Sequence, residues 1–184
     1  MELTWAHNLV MQFAKEFEPS QVIEANTGSR EDSSFRRSYV LFNVGRFQDL
    51  MANRLARFLP QIVYRLTVPL FNIREVELQL TSSGNRGFFR AHTDSDGPTV
   101  SGRAVTFVLF CHREPRAFSG GELRIYGRDP ETGSHLTDVA TVIRPSQNRM
   151  VLFPSDRLHE ITPVSCRSSN LLDTRLTLNG WLHR

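Results

Sequence analysis

The stretch GNRGFFRAHTDSDG at residues 84–97 combines a predicted strand with two candidate metal ligands. Residues Gly87–Ala91 are predicted to form a strand that runs directly into the sequence His-Thr-Asp. Side chains alternate along a strand, so residues i and i+2 project from the same face. His92 and Asp94 therefore direct an imidazole and a carboxylate into one space, where both can bind a metal ion.

A second histidine, His159, lies in the stretch VLFPSDRLHEITPV at residues 151–164. Two histidines and one carboxylate on one face of a metal leave the opposite positions open, which suits non-haem Fe(II). As a lone motif, His92 and Asp94 are better explained as the polar end of an ordinary strand. His159, together with Arg175 after it in chain order, makes the three residues candidate ligands of one metal ion.

Arg175 and Thr177 share one face of a later predicted strand by the same alternation. A guanidinium fork matches a carboxylate in bidentate geometry, and a hydroxyl two residues on adds a further hydrogen bond. A buried arginine without an anion is costly. A surface arginine is the ordinary alternative, but its position after the three predicted iron ligands favours a carboxylate-binding role.

The first part of the chain, about residues 1–72, is predicted to be a helical lead-in. Apolar residues recur at helical spacing in Trp5–Phe17 and in Phe47–Phe58, and the second of these helices is expected to end at Pro60. Gln61–Val68 is predicted as a third helical or irregular piece. The polar stretch Asn26–Ser34 is predicted as a loop.

From about residue 73 to residue 184 the pattern changes to short β-rich segments separated by Gly, Pro, Asp and Ser. The eight predicted strands are Val76–Leu80, Gly87–Ala91, Arg103–Cys111, Gly121–Tyr126, Val139–Ile143, Arg149–Phe153, His159–Val164 and Thr174–Trp181. This pattern predicts an α+β, mainly β, fold: a double-stranded β-helix (jelly roll) core braced by N-terminal helices. We expect one domain over residues 1–184.

Composition and charge narrow the class of protein. The 184 residues carry a formal net charge of +3, and the arginines are spread along the chain without a dense basic run, so no nucleic-acid partner is expected. Polar and charged residues interrupt the N-terminal stretch, which predicts neither a signal peptide nor a membrane span. With two cysteines and no C-x-x-C spacing, a cytoplasmic location is expected.

Five segments together resemble the prolyl-hydroxylase branch of the 2-oxoglutarate/Fe(II)-dependent dioxygenases, from about Glu75 to Arg184. They are GNRGFFRAHTDSDG, GRAVTFVLFCHRE, FSGGELRIYG, VLFPSDRLHEITPV and RLTLNGWLHR. Their order matches the metal strand, the following strand, the Gly-Gly turn, the distal-histidine strand and the final arginine strand of that family. The resemblance implies that His92, Asp94 and His159 bind iron and that Arg175 binds the distal carboxylate of 2-oxoglutarate.

The same resemblance places further residues around the co-substrate: Phe110, Leu123, Ile161, Thr177 and Trp181. Core packing explains Leu123, Ile161 and Trp181 equally well. Three departures from the family stand out. Relatives carry a tyrosine near the position of Thr81, where this chain has none, and a second tyrosine where this chain has Phe110. The interval between His159 and Arg175 also contains extra residues in this chain, Cys166–Leu172.

The resemblance implies an oxidoreductase that uses Fe(II), 2-oxoglutarate and O2, with ascorbate in support, to hydroxylate an unactivated C–H bond and release succinate and CO2. The expected substrate is a prolyl residue in a protein or peptide. Two alternatives stay open: a hydroxylase of a small-molecule or carrier-bound intermediate, and a non-catalytic jelly-roll binding module. Residues Ala25–Arg36 are a candidate lid. The sequence sets neither the substrate itself nor the oligomeric state.

The remaining histidines are expected to have no chemical role. His112 follows a predicted strand and is expected at a surface or turn position, without a metal. His7, His135 and His183 are expected to face solvent.

Overall fold

The computed structural model describes residues 2–24 and 28–184. The structure has two α-helices, α1 (Glu2–Phe13) and α2 (Phe47–Leu66), and two short 3-10 turns, Ala14–Glu16 and Leu171–Asp173. The strands in chain order are β1 (Glu18–Pro19), β2 (Gln21–Glu24), β3 (Gly28–Glu31), β4 (Arg36–Arg37), β5 (Tyr39–Leu41), β6 (Glu75–Ser83), β7 (Phe88–His92), β8 (Arg103–Phe110), β9 (Phe118–Gly120), β10 (Leu123–Arg128), β11 (His135–Ile143), β12 (Met150–Pro154), β13 (His159–Ile161), β14 (Val164–Cys166) and β15 (Arg175–His183).

Two antiparallel sheets form the body of the fold. The six-stranded sheet has the order β1-β5-β6-β15-β8-β12, and the five-stranded sheet has the order β11-β10-β13-β7-β4. Two smaller pairs, β14-β9 and β2-β3, complete the strand pairing of the described residues. This architecture confirms the predicted jelly-roll core. Seven of the eight predicted strands are present, most with shifted ends, whereas the predicted strand His159–Val164 is divided into β13 and β14, which belong to different sheets.

The six-stranded sheet divides its residues between two faces by strand alternation. One face packs on the helices: Leu80, Phe107 and Leu178 are fully buried in the same apolar cluster as Phe47 of α2. Burial of side chains of this size contributes about 1.5–3 kcal/mol each. On this face a Cβ at Gly180 would lie 2.3 Å from Cζ of Phe107, so only glycine leaves room for that ring. The helices therefore brace the sheet from outside and leave its other face free for a site.

The prediction that α2 ends at Pro60 is wrong. The helix continues to Leu66 and ends where Thr67 adopts a left-handed conformation with φ 56°. A proline inside a helix removes one backbone hydrogen bond and costs about 3 kcal/mol. Leu59 and Val63 are buried on either side of it, and their packing against the sheet offsets that cost. The piece predicted at Gln61–Val68 is therefore mostly the last part of α2.

The lead-in is not purely helical, which corrects the expectation for residues 1–72. Strand β5 pairs with β6 in the larger sheet, and β4 pairs with β7 in the smaller one. The stretch predicted as a loop includes part of a hairpin, in which Gln21 pairs with Glu31. Ala25, Asn26 and Thr27 lie outside the described residues. These strands lack their own apolar alternation because they extend sheet edges formed by other parts of the chain.

Within residues 2–24 and 28–184, neither helix is both long and apolar enough to cross a membrane.

Candidate active site

The free face of the larger sheet forms the floor of a cavity of about 470 Å³ between the two sheets. Residues that pair across strands project from the same face, so the register shows which residues share this face. Three rows cross β8, β15 and β6: Phe110–Thr177–Thr81, Val108–Asn179–Gln79 and Thr106–Trp181–Glu77. The cavity is lined by six of them: Gln79, Thr81, Thr106, Val108, Asn179 and Trp181. Most of these residues are polar although nearly all are buried, which is unusual for a core and typical of a binding site.

The structure brings His92, Asp94 and His159 together at one end of this cavity. His92 ends β7 and pairs directly with His159, the first residue of β13. Asp94 follows β7, and its backbone N–H donates to the carbonyl of Ser155 at 2.9 Å. One ligand atom from each of the three side chains lies within 4.8 Å of the others. This spacing suits a single metal ion bound on one face.

Backbone carbonyls orient both imidazoles. His92 Nδ1 lies 2.7 Å from the carbonyl oxygen of Arg90, and His159 Nδ1 lies 2.8 Å from that of Arg157. A carbonyl can only accept, so each Nδ1 carries the proton and each Nε2 is free in the neutral ring. The two Nε2 atoms lie 3.7 Å and 3.4 Å from the carboxylate oxygens of Asp94. Both histidines are therefore oriented as metal ligands require.

Charge states at this site also fit a metal. Burial lowers the pKa of His92 to about 3, so its imidazole is neutral and available as a ligand. Burial raises the pKa of the Asp94 carboxyl, but the neighbouring His159 and His92 and the hydrogen bond from Thr106 together lower it below its usual value. That hydrogen bond, from Thr106 Oγ1 to Asp94 Oδ2, is 2.7 Å long.

Arg175 is the second unusual feature of the cavity. Its side chain is 2% exposed, and its Nε donates to the carbonyl of Gly121 at 2.7 Å. Its Nη2 is buried without a hydrogen-bond partner, and no carboxylate lies within ion-pair distance of it in the described part of the chain. Burial lowers its pKa to about 10, so the guanidinium stays charged at neutral pH. A buried, unpaired guanidinium that lines a cavity needs an anion.

The predicted co-substrate residues divide into two groups. Leu123, Ile161 and Trp181 line the same cavity as Arg175, with Trp181 six residues further along β15 and paired with Thr106. Phe110 and Thr177 are fully buried, outside the cavity lining. The Phe110 ring lies 5.2 Å from the Arg175 guanidinium carbon, and the Thr177 hydroxyl has no hydrogen-bond partner in the described residues.

A polar cluster in the same cavity as Arg175 was not predicted from the sequence. Asn179 Nδ2 donates to Thr81 Oγ1 at 2.7 Å, and Gln79 Nε2 approaches the same oxygen at 3.4 Å. Because this oxygen accepts from both amides, the hydroxyl proton of Thr81 is directed elsewhere. Thr81 lies on the strand where relatives were expected to carry a tyrosine. The one feature of the sequence that indicates this cluster is the period-two spacing of polar residues on β6 and β15.

A stack of three side chains closes the wall beside the metal ligands. The Phe89 ring stacks on the His92 imidazole with centroids 3.5 Å apart. The guanidinium carbon of Arg36 lies 4.6 Å from the centroid of the same Phe89 ring. Arg36 belongs to β4, so the lead-in contributes a charge to the site that the sequence did not predict.

Opposite this stack, Arg103 is held in a network. Its Nε donates to Glu77 Oε2 at 3.0 Å, and its guanidinium lies 3.9 Å above the Trp181 ring. Glu77 Oε1 also lies 2.9 Å from His183 Nε2, so the expectation that His183 faces solvent is wrong. Arg103 Nη1 reaches the Asp94 carbonyl at 3.3 Å and connects this network to the metal site.

His112 also differs from expectation. It is 1% exposed rather than at the surface, and neither ring nitrogen makes a hydrogen bond within the described part of the chain. Its ring lies edge-on to Phe118 at 5.1 Å. His7 is half-buried, with Nε2 2.6 Å from the Cys111 carbonyl oxygen, whereas His135 is exposed as expected.

A comparison with protein families gives a match to the 2OG-Fe(II) oxygenase superfamily over residues 78–183, which include all four predicted iron and carboxylate ligands. The chain belongs to this superfamily. A PKHD-type hydroxylase of Synechocystis sp., itself uncharacterized, is 32% identical over 167 residues, which are 89% of this chain and 55% of that protein. The chain thus spans little more than half the length of this superfamily relative.

Solved structures of superfamily members share the fold. A prolyl-4-hydroxylase of Pseudomonas putida superposes with a TM-score of 0.66 at 20% identity, over 99% of this chain and 88% of that one. A prolyl hydroxylase of Trichoplax adhaerens, in complex with a hypoxia inducible factor peptide fragment, gives a TM-score of 0.68 at 17% identity, over 98% and 77%.

Fe(II) and 2-oxoglutarate are therefore the metal and co-substrate of this 2OG-Fe(II) oxygenase, and O2 is the implied oxidant. The residues present fit both groups. Two histidines and a carboxylate match the preference of non-haem Fe(II), and the unpaired guanidinium of Arg175 matches a carboxylate of 2-oxoglutarate.

Proposed function

We propose that this protein hydroxylates an unactivated C–H bond of a prolyl residue in a protein or peptide, with oxidation of 2-oxoglutarate by O2 to succinate and CO2. One observation carries the proposal: a three-residue metal site and a buried, unpaired arginine line the same cavity. The fold shared with the two prolyl hydroxylases supports the choice of a prolyl residue.

Each group in the cavity has a separate task in this proposal. His92, Asp94 and His159 hold Fe(II) on one side and leave coordination positions for small molecules. Arg175 holds the distal carboxylate of 2-oxoglutarate. Bound Fe(II) supplies the redox chemistry that couples oxidation of 2-oxoglutarate to hydroxylation. One oxygen atom of O2 enters the alcohol and the other enters succinate, so the reaction balances without a further reductant.

The walls exclude water from the centre of the cavity. Leu123, Ile161 and Trp181 provide apolar surface beside the predicted position of 2-oxoglutarate. Phe35 packs edge-on against Phe89 at 5.8 Å and extends this surface toward the opening. Phe42 also lines the cavity and is 58% exposed. An apolar entrance of this kind suits the ring of a prolyl residue.

The test is to incubate the protein with Fe(II), 2-oxoglutarate, O2 and ascorbate in the presence of proline-containing peptides. We expect succinate release and the gain of one oxygen atom on proline, located by tandem mass spectrometry. His92→Ala, Asp94→Ala and His159→Ala should each abolish both signals. Hydroxylation of small molecules but of no peptide would contradict the prolyl assignment, and a lack of any turnover would favour a binding module.

A further inference from the structure

A second cavity, of about 830 Å³, adjoins the active site and shares Arg36 and Ser38 with it. We call it the basic cleft, after three arginines in its lining, Arg36, Arg37 and Arg167. The rest of its wall is rich in small polar groups: Ser20, Ser33, Ser82, Asn85, Ser165, Ser168, Ser169 and Thr174. Glu31 is the one carboxylate among its lining residues. Tyr39, Pro19 and Leu171 supply the larger apolar surfaces of the cleft, which otherwise has a more polar wall than the active site.

The arginines of the basic cleft are not neutralised by the described part of the chain. Other arginines form ion pairs, as Arg113 does with Asp173 and Arg124 with Glu160. None of Arg36, Arg37 and Arg167 has a carboxylate within 4.0 Å in residues 2–24 and 28–184. Three positive charges around one cleft create a potential that attracts an anion.

Arg36 is the most constrained of the three. Its Nε donates to Ser38 Oγ at 3.1 Å and its Nη1 to the Gln21 carbonyl at 3.4 Å, which are both neutral acceptors. Burial lowers its pKa to about 10, with Asp94 as the opposing influence, so it stays protonated at neutral pH. A metal ion on Asp94 offsets that carboxylate's charge. The charge of Arg36 then has no carboxylate partner among the described residues.

The hydroxyl groups are placed to complement these charges. Ser82 Oγ and Thr174 Oγ1 lie 2.8 Å apart, as do the hydroxyls of Ser20 and Ser38. Thr174 Oγ1 donates to the Leu171 carbonyl at 2.6 Å, so Ser82 donates to Thr174 and both protons of that pair are used. In the pair of Ser20 and Ser38 only one proton is used between the two hydroxyls, so the other can be donated to a ligand. Guanidinium and hydroxyl donors together suit carboxylates, which accept several hydrogen bonds at once.

We propose that the basic cleft binds an acidic segment of the substrate polypeptide, next to the residue that enters the active site. This rests on the proposed function, in which the substrate is a protein or peptide. The two cavities meet at Arg36 and Ser38, so one extended chain can occupy both. The size of the cleft exceeds that of a single small anion and matches several residues of a bound segment.

The experiment compares two fluorescent peptides of equal length, each with a central proline. Glutamates flank the proline on both sides in the first peptide, and glutamines flank it in the second. Fluorescence anisotropy measures their affinity for the Fe(II)-loaded protein with 2-oxoglutarate under anaerobic conditions. We expect the glutamate peptide to bind more tightly, and added salt to reduce the difference because ionic contacts are screened. In Arg37→Gln/Arg167→Gln its affinity should fall at least about fivefold. Arg57→Gln, the same change on an exposed position of α2, should bind it like the wild type.

Equal affinity of the double variant and the wild type for the glutamate peptide would overturn the proposal. Displacement of the glutamate peptide by inorganic phosphate, added at an equal total concentration of negative charges, would overturn it too. The cleft would then be a site for small anions. Failure here is separable from failure of the proposed function. Charge-dependent binding without hydroxylation of proline would contradict the prolyl assignment alone. Equal hydroxylation of both peptides would contradict the proposed role of the cleft alone.

Discussion

Arg175 lies against the backbone of Gly121, where a side chain would collide with it. A Cβ at this position would lie 2.7 Å from Cδ of Arg175, and the Gly121 carbonyl accepts the 2.7 Å hydrogen bond from Nε. Gly121 also has φ +71°, in the left-handed region. The Gly-Gly turn is therefore part of the mechanism that positions the guanidinium, beyond its role in the chain reversal.

Gly121→Ala should weaken binding of 2-oxoglutarate because the new methyl group displaces Arg175. The substitution also strains the backbone, at about 1 kcal/mol or more. Gly133→Ala is the matched control, since Gly133 has φ +72° but only the flexible Arg128 side chain nearby. Calorimetric titration of 2-oxoglutarate should show a loss for Gly121→Ala and none for Gly133→Ala. An equal effect of both on affinity would mean that strain alone is responsible.

Arg175→Ala should raise the dissociation constant of 2-oxoglutarate sharply, since truncation of one partner in a buried charge pair costs about 2–5 kcal/mol. Arg175→Lys should recover part of the affinity, because an ammonium keeps the charge and loses the bidentate fork. The control is Arg124→Ala, another strand arginine, whose partner is Glu160. If both Arg175 variants bind 2-oxoglutarate like the wild type, a different residue binds the acid.

Thr106→Val should weaken Fe(II) binding about 10- to 100-fold, because it removes the hydroxyl that orients Asp94 and leaves the shape unchanged. Thr141→Val, an exposed position on β11, is the control for the same change on a strand. Titration with Fe(II) under anaerobic conditions measures the effect. Unchanged metal affinity in Thr106→Val would show that Asp94 needs no such support.

Thr81→Val should destabilise the protein, because the amide of Asn179 loses its acceptor in a buried site. An unsatisfied buried donor costs about 1–3 kcal/mol. We also expect weaker binding of 2-oxoglutarate. The hydroxyl proton of Thr81 is not donated within the cluster, so it is available for a hydrogen bond to the co-substrate. Thr81→Ser keeps the hydroxyl and should preserve the affinity. Thermal melting and 2-oxoglutarate titration separate a purely structural role from a binding role.

His112 should make folding stability depend on pH. Burial lowers its pKa, with a smaller opposing effect of Glu114, so the folded protein favours the neutral ring. The unfolded chain takes up a proton near pH 6.5, so the free energy of unfolding should fall as the pH drops below that value. His112→Phe removes this contribution. Denaturation at about pH 8 and about pH 5.5 should show a smaller loss of stability in the variant.

The iron ligands could be predicted because their chemistry is local in sequence. His92 and Asp94 need only the alternation of one strand, and His159 and Arg175 follow in a fixed order. The edges of the sheets could not be predicted in this way. Residues 36–41 form β4 and β5 because β7 and β6 offer free edges, and the paired residues lie at least 39 positions away in the chain.

The environment of single side chains was the hardest to infer. Thr81 approaches Asn179 only through the register in which Thr81 pairs with Thr177. His112 packs edge-on against Phe118, six residues along the chain, although the local sequence resembles the exposed end of a strand. The first contact depends on strand register and the second on how the chain turns after β8, and neither is encoded in the alternation of one strand.

The position of β15 has a consequence for the order of events during synthesis. This strand lies between β6 and β8 in the middle of the larger sheet, yet it is the last of the three to leave the ribosome. Until residues 175–183 emerge, β6 and β8 have no partner between them, and their apolar faces stay accessible. Nascent chains should therefore remain dependent on chaperones until late in translation, and the oxygen-activating centre should assemble only after the sheet has closed.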